Sequence, residues 1–157
     1  MKPGSEERAP HAATFGPARV DDVPDLVSID SVSPQAWTAE AFLAELQRDP
    51  LTLFVLRSSG RAVAFVVARA QTPEMDIVNL AVARDARRKG MGRFLLRSLL
   101  ARMARAGVRT AFLEVREGNQ EARALYGSAG FRETQRRPGF YRGPSEDAVL
   151  MRLEIEP

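Results

Sequence analysis

The chain is 157 residues long, the size of one domain, and its 45% apolar and 27% charged residues are ordinary for a globular protein with its own core. It has no cysteine and a single histidine, His11, in a polar segment, which excludes disulfides, zinc–thiolate and iron–sulfur sites, cysteine nucleophiles, Ser-His-Asp triads and His-ligated metals from the core. The net charge of +3 hides a basic segment and an acidic one: Arg84, Arg87, Arg88, Lys89, Arg93, Arg97, Arg102, Arg105 and Arg109 stand against Asp85 alone, and Asp21, Asp22, Asp25, Asp30, Glu40, Glu45 and Asp49 against Arg48. Such a division points to an anionic ligand at one place and a cationic one at another, with nucleic acid as the other partner a basic block can serve.

Residues 1–13 have no apolar periodicity and read as a disordered leader, leaving a domain over residues 14–157. No run approaches the roughly 18 apolar residues of a membrane helix, and the first residues lack the apolar core of a secretory signal, so a cytoplasmic protein without membrane contact is expected. A short strand falls around 14–20, then a helix begins at Asp21 or Asp22 before Val23-Pro24 and ends near Ser31. Thr38 caps a second helix whose stripe is Ala39, Phe42, Leu43 and Leu46, with Glu40, Glu45 and Arg48 off it. Leu51–Arg57 and Arg61–Arg69 flank Ser58-Ser59-Gly60 as a hairpin, and Met75–Ala83 is a third strand. The second and third runs are apolar at odd and even positions alike, the mark of strands covered on both faces. Leu95, Leu99 and Met103, with Leu96 and Leu100 alongside, define a helix over 91–106 that Gly107 ends. Thr110–Arg116 is a strand, Asn119–Ala129 a short helix, and Phe131–Arg137 and Ala148–Ile155 two closing strands joined by a loop. The order is that of an α+β domain: two helices, an antiparallel meander, helix–strand–helix, and two strands.

Chemistry concentrates at Asn79–Arg93, where a strand enters a basic loop with Gly90 and Gly92 and opens directly into the strongest helix. Glycines let backbone N–H groups approach a ligand, the helix start adds unpaired donors and the positive end of its dipole, and Arg87, Arg88, Lys89 and Arg93 add full charges. A phosphate or pyrophosphate suits that combination; the plainer alternative is a glycine turn beside a solvated arginine face. The nucleotide loops with Gly-x-x-x-x-Gly-Lys or three spaced glycines are absent, since Leu95 stands where the third glycine would fall.

Arg87-x-x-Gly90-x-Gly92 at a strand-to-helix junction resembles the acetyl-CoA signature of the GNAT superfamily of N-acetyltransferases. Leu113-Glu114-Val115-Arg116-x-x-Asn119-x-x-Ala122-x-x-Leu125-Tyr126-x-x-x-Gly130-Phe131 resembles the later part of that fold. Pro34-Gln35-Ala36-Trp37-Thr38 and Glu146-Asp147-Ala148 are similar to its RimI-type ribosomal-protein-alanine branch, and the resemblance spans nearly all of 14–155. It implies a mixed, mostly antiparallel sheet of about six to seven strands with about four helices and strands splayed at the acetyl-CoA site. It further implies that Leu80, Ala81 and Val82 offer backbone groups to the pantetheine arm, that the loop from Arg88 through Lys89, Gly90, Met91 and Gly92 to Arg93 holds the pyrophosphate, and that Asn119 sits near the thiol end. On the same basis Glu114 is the general base and Tyr126 the general acid, with acetyl-CoA as cosubstrate and no metal.

The residues carry these roles to different degrees. Glu114 alternates with Leu113 and Val115 in its strand, so it is either at a wet cleft or paired to an arginine within the sheet. An α-amine, with a pKa of about 7.7–8.0, needs far less help from a base than a lysine amine near 10.4. Tyr126 falls on the apolar side of its helix, as a core aromatic would; without cysteine there is no acyl-enzyme on sulfur, so direct attack in a ternary complex is expected. Trp37, Phe42 and Tyr141 are candidate walls of the acceptor site, with packing as the alternative. The first functional reading is acetylation of a protein N-terminus, a ribosomal protein among the candidates; the others are acetylation of a polyamine, aminoglycoside or amino acid, and a non-catalytic CoA- or nucleic-acid-binding domain. Direct nucleic-acid binding is not expected, because the basic stretch has one aromatic, Phe94, and few residues suited to base readout.

Overall fold

A computed structural model describes residues 12–157, so most of the leader expected over 1–13 lies outside the described residues; Ala13, at its end, is buried against the core. The chain forms β1 (Thr14–Pro17), α1 (Val23–Asp30), α2 (Ala39–Leu46), β2 (Leu53–Ser58), β3 (Arg61–Gln71), β4 (Glu74–Val82), α3 (Met91–Arg105), β5 (Thr110–Arg116), α4 (Gln120–Ser128), β6 (Arg132–Tyr141) and β7 (Glu146–Glu154). The strands make one seven-stranded sheet in the order β1-β2-β3-β4-β5-β7-β6, antiparallel throughout except for β4 and β5. A parallel pair needs a crossover, and α3 supplies it.

The β2–β3 hairpin closes through Ser59 and Gly60, both at positive φ (52° and 77°), which is the two-residue turn whose twist matches the strands. α3 lays Leu95, Leu96, Leu99 and Met103 on one face of the sheet, against Phe54, Leu56, Ala64 and Val66. α1 and α2 cover the other face of β2 and β3 with Leu26, Ile29 and Phe42 over Leu53, Val55, Phe65 and Val67. β3 is therefore buried on both sides, as its sequence predicts. β4 is not: Asp76 and Val78 are exposed, since α1 and α2 stop short of its first half. Among the described residues no helix is long and apolar enough to cross a membrane.

Three expectations need correction. Asp22 stands at the start of α1 without capping it by a side-chain bond; its carboxylate accepts the Arg19 N–H at 2.7 Å and pairs with Arg57. In α2, Thr38 caps as expected by accepting the Ala41 N–H, but Glu45 is buried and Leu43 is exposed. Burial pushes the Glu45 carboxyl up, but hydrogen bonds from Arg69 and Thr52 and the charges of Arg69 and Arg48 outweigh it and hold the group below its usual value. Last, the stretch from Pro138 to Tyr141 belongs to β6 rather than to a loop, with irregular pairing between Arg137 and Tyr141.

Phe42 is fully buried, edge-on to Phe65 at 5.1 Å, so it offers no wall to an acceptor. Trp37 covers it from the solvent side at 5.4 Å. Phe42→Leu is accordingly expected to cost about 1 kcal/mol in urea unfolding, with the acceptor KM unchanged.

Candidate active site

β4 and β5 pair only from Glu74–Ile77 to Thr110–Leu113, although β4 runs on to Val82 and β5 to Arg116. The parting has a local cause. Val67 pairs with Asn79 and Ala68 with Ile77, so Val78 is an extra residue in β4, and such a bulge bends and twists the strand that carries it. Beyond it, β4 stays paired to β3 as far as Val82 and β5 to β7 as far as Arg116, so the sheet opens along one seam.

A cavity of about 900 Å³ follows this seam, lined by Leu80, Ala81, Val82, Arg87, Arg88, Gly90, Met91, Gly92, Arg93, Asn119 and Tyr126. Most of the ligand-binding residues expected from the sequence thus meet at one place; Lys89, exposed, does not line it. Between β4 and α3 the backbone takes left-handed φ at Arg88 (60°) and Gly90 (77°). Gly90 opens α3, and that helix has no acidic residue in its first turn, leaving its orphan N–H groups and dipole for an anion. Met91 is 3% exposed, so only its backbone is available to a ligand. Arg87 donates from Nε to the Val82 carbonyl at 3.2 Å, which fixes the loop to the strand end. Gly92 seats the helix start closely: a Cβ there would lie 3.3 Å from Leu125 and 3.5 Å from Val82. Gly90→Ala, strained at positive φ, is expected to weaken acetyl-CoA binding about fivefold by calorimetry, because the penalty of about 1 kcal/mol falls on the loop that presents the amides.

Asn119 caps α4 by accepting the Ala122 N–H at 3.1 Å, so contact with a ligand falls to its Nδ2 donors. Tyr126, 7% exposed, reaches the cavity from α4 with its ring edge-on to Phe131 at 5.7 Å. Burial pushes its hydroxyl well above the ordinary value of 10.0, so it stays protonated at any physiological pH. Among the described residues no group of three or more His, Asp or Glu is placed to hold a metal ion.

Glu114 lies outside this cavity lining. It is exposed on β5, 3.5 Å from Arg137 of β6, and its charge is felt by Tyr141. Burial raises the Tyr141 hydroxyl, Glu114 adds to this, and Arg116, whose guanidinium stacks 4.2 Å above the ring, opposes it. Glu114 and Tyr141, distant in sequence, thus share one cluster, while Trp37 stays with α2. Asp30 and Asn79 also line the cavity; the sequence placed Asn79 at the start of the segment where chemistry concentrates and Asp30 in the acidic segment, without giving either a role at the site.

The Acetyltransferase (GNAT) family model matches residues 23–131, and the chain belongs to that family. It is an N-acetyltransferase, similar to the [Ribosomal protein bS18]-alanine N-acetyltransferase of Escherichia coli strain K12, with 37% identity over 121 residues, 76% of this chain and 81% of that protein. A putative enzyme of the same description from Bacillus subtilis strain 168 is 27% identical over 139 residues, covering 87% of this chain and 92% of that one. The crystal structure of the Escherichia coli ribosomal-protein-S18-alanine N-acetyltransferase superposes with a TM-score of 0.85 at 32% identity, covering 92% of this chain and 95% of the other. Ard1 from Thermoplasma volcanium also gives 0.85, at 26% identity, covering 93% and 99%.

Proposed function

We propose that the chain transfers the acetyl group of acetyl-CoA to the N-terminal α-amine of a protein, with a ribosomal protein beginning in alanine as the leading substrate, in a cytoplasmic reaction. The observation that carries the chemistry is the opened seam between β4 and β5, which gathers strand backbone, a helix N-terminus and the Tyr126 hydroxyl in one cavity. The relatives named above support the choice of acceptor.

Acetyl-CoA supplies an activated thioester. The residues present suit it: the Arg88–Arg93 loop offers amides and charge to the pyrophosphate, and the free edge of Leu80–Val82 offers hydrogen bonds to an amide-bearing arm. The acceptor nitrogen forms a bond to the thioester carbonyl carbon while the carbon–sulfur bond breaks. Glu114, directly or through water, takes the proton the ammonium loses before attack, and Tyr126 gives one to the departing sulfur; the second proton, shed by the nitrogen as the amide forms, restores the Tyr126 phenol. Arg137, 3.5 Å from the Glu114 carboxylate, holds it in place.

The test is intact-mass analysis of a peptide panel with acetyl-CoA: basic peptides starting with alanine, peptides starting with other residues, and peptides with a blocked N-terminus and internal lysines. Acetylation of free α-amines with alanine preferred is expected. Modification of lysine alone, or of small amines and no peptide, overturns the acceptor assignment.

A further inference from the structure

Three of the seven acidic residues in the segment 21–49 are paired with arginines. Asp22 pairs with Arg57, Asp25 with Arg61 at 3.1 Å, and Glu45 with Arg69 and Arg48. Asp30 is different. It is the last residue of α1, 1% exposed, and lines the cavity, yet the hydrogen bonds it accepts come from neutral donors. Oδ2 accepts the backbone N–H of Trp37 at 2.7 Å, and the Asn79 Nδ2 lies 3.3 Å and 3.2 Å from the two oxygens.

A carboxylate withdrawn from water with no ion-pair partner among the described residues is costly, and the hydrogen bonds from Trp37 and Asn79 are what offset that cost. What Asp30 joins is informative. Trp37 ends the connection from α1 to α2, and Asn79 is the first residue of β4 after the bulge at Val78, where the strand leaves β5. Val32, Ser33 and Pro34 of that connection line the same cavity as the α3 loop. A single side chain therefore sets the distance between the opened strand and that connection.

We propose that Asp30 is the positioning residue of the acceptor side: through Trp37 and Asn79 it clamps residues 31–38 against β4 and shapes the entrance that the amine uses. This rests on the reading of the cavity as an acetyl-transfer site. Because the hydrogen bonds of Asp30 run to Trp37 and Asn79 and not to the cofactor loop, its loss separates the two substrates.

The test uses the full-length enzyme. Trp37 is the only tryptophan, so acrylamide quenching of its fluorescence reads the clamp without any activity. For Asp30→Ala, quenching is expected to rise severalfold and the acceptor KM about tenfold, the worth of one charge-assisted hydrogen bond. The acetyl-CoA Kd stays within about twofold and kcat within about threefold, well inside the scale of that one bond. Asp30→Asn, which still offers an oxygen to the Trp37 N–H, is expected to restore most of the KM. Unchanged quenching, or a rise in the acetyl-CoA Kd that parallels the acceptor KM, overturns the proposal. If the wild type modifies no α-amine, the acceptor assignment fails while the quenching comparison still decides whether Asp30 holds the connection.

Discussion

Glu114→Gln is expected to lower kcat on an alanine-starting peptide by about two to three orders of magnitude at pH 7, the usual worth of a positioned general base. The acetyl-CoA Kd should not move, because Glu114 lies outside the cavity lining that holds the cofactor residues. Glutamine keeps the shape and one hydrogen-bonding oxygen for Arg137 but cannot take a proton. The pH dependence supplies the control. An α-amine loses its own proton near pH 8, so the deficit should shrink as pH rises from 6 to 9. A deficit of constant size across that range, or full activity at pH 7, would remove Glu114 from the proton path.

Tyr126→Phe is expected to cost about two orders of magnitude in kcat, with both substrate affinities near wild type, since the ring that packs on Phe131 remains. The wild-type rate should show no alkaline decline from this group below pH 10, because burial keeps the hydroxyl protonated beyond its ordinary value of 10.0. The same burial has a sign for stability. A folded-state pKa above the unfolded one means the folded protein holds its proton more tightly. Its contribution is therefore complete below about pH 10 and is lost as pH rises above that. Urea unfolding from pH 9 to 11 should show the wild type weakening while Tyr126→Phe weakens less.

Much of this could be read from residues in line. The α3 stripe, the Thr38 cap and the Ser59-Gly60 turn are local devices, and each appears where its signal stands. The basic glycine loop was legible as a strand-to-helix junction because strand, loop and helix start are contiguous. What was not legible depends on partners far away in sequence. Glu45 looks like a solvent residue until Arg69, 24 positions on, meets it across the sheet, and Leu43 is left outside in consequence. Phe42 has the composition of a binding-site wall and the surroundings of a core residue. The bulge at Val78 leaves no mark in composition, since it exists only in the pairing of β4 with β3. Asp30 was visible as one charge among several; that it has no ion-pair partner among the described residues appears only once Asp22, Asp25 and Glu45 find their arginines.

The short seam between β4 and β5 has a consequence for the life of the molecule as well as for its chemistry. Two half-sheets are joined edge to edge by the rungs from Glu74–Ile77 to Thr110–Leu113, with the rest of the border unfinished. A ligand lying in that border acts as a missing structural member, binding the folded chain and not the unfolded one. At a free concentration about a hundredfold above its Kd, it adds about 2.7 kcal/mol to the fold. That is a sizeable share of the roughly 5–15 kcal/mol that holds a domain together. The midpoint of thermal unfolding should then climb with the concentration of acetyl-CoA, although the folded fraction at ordinary temperature is already near one.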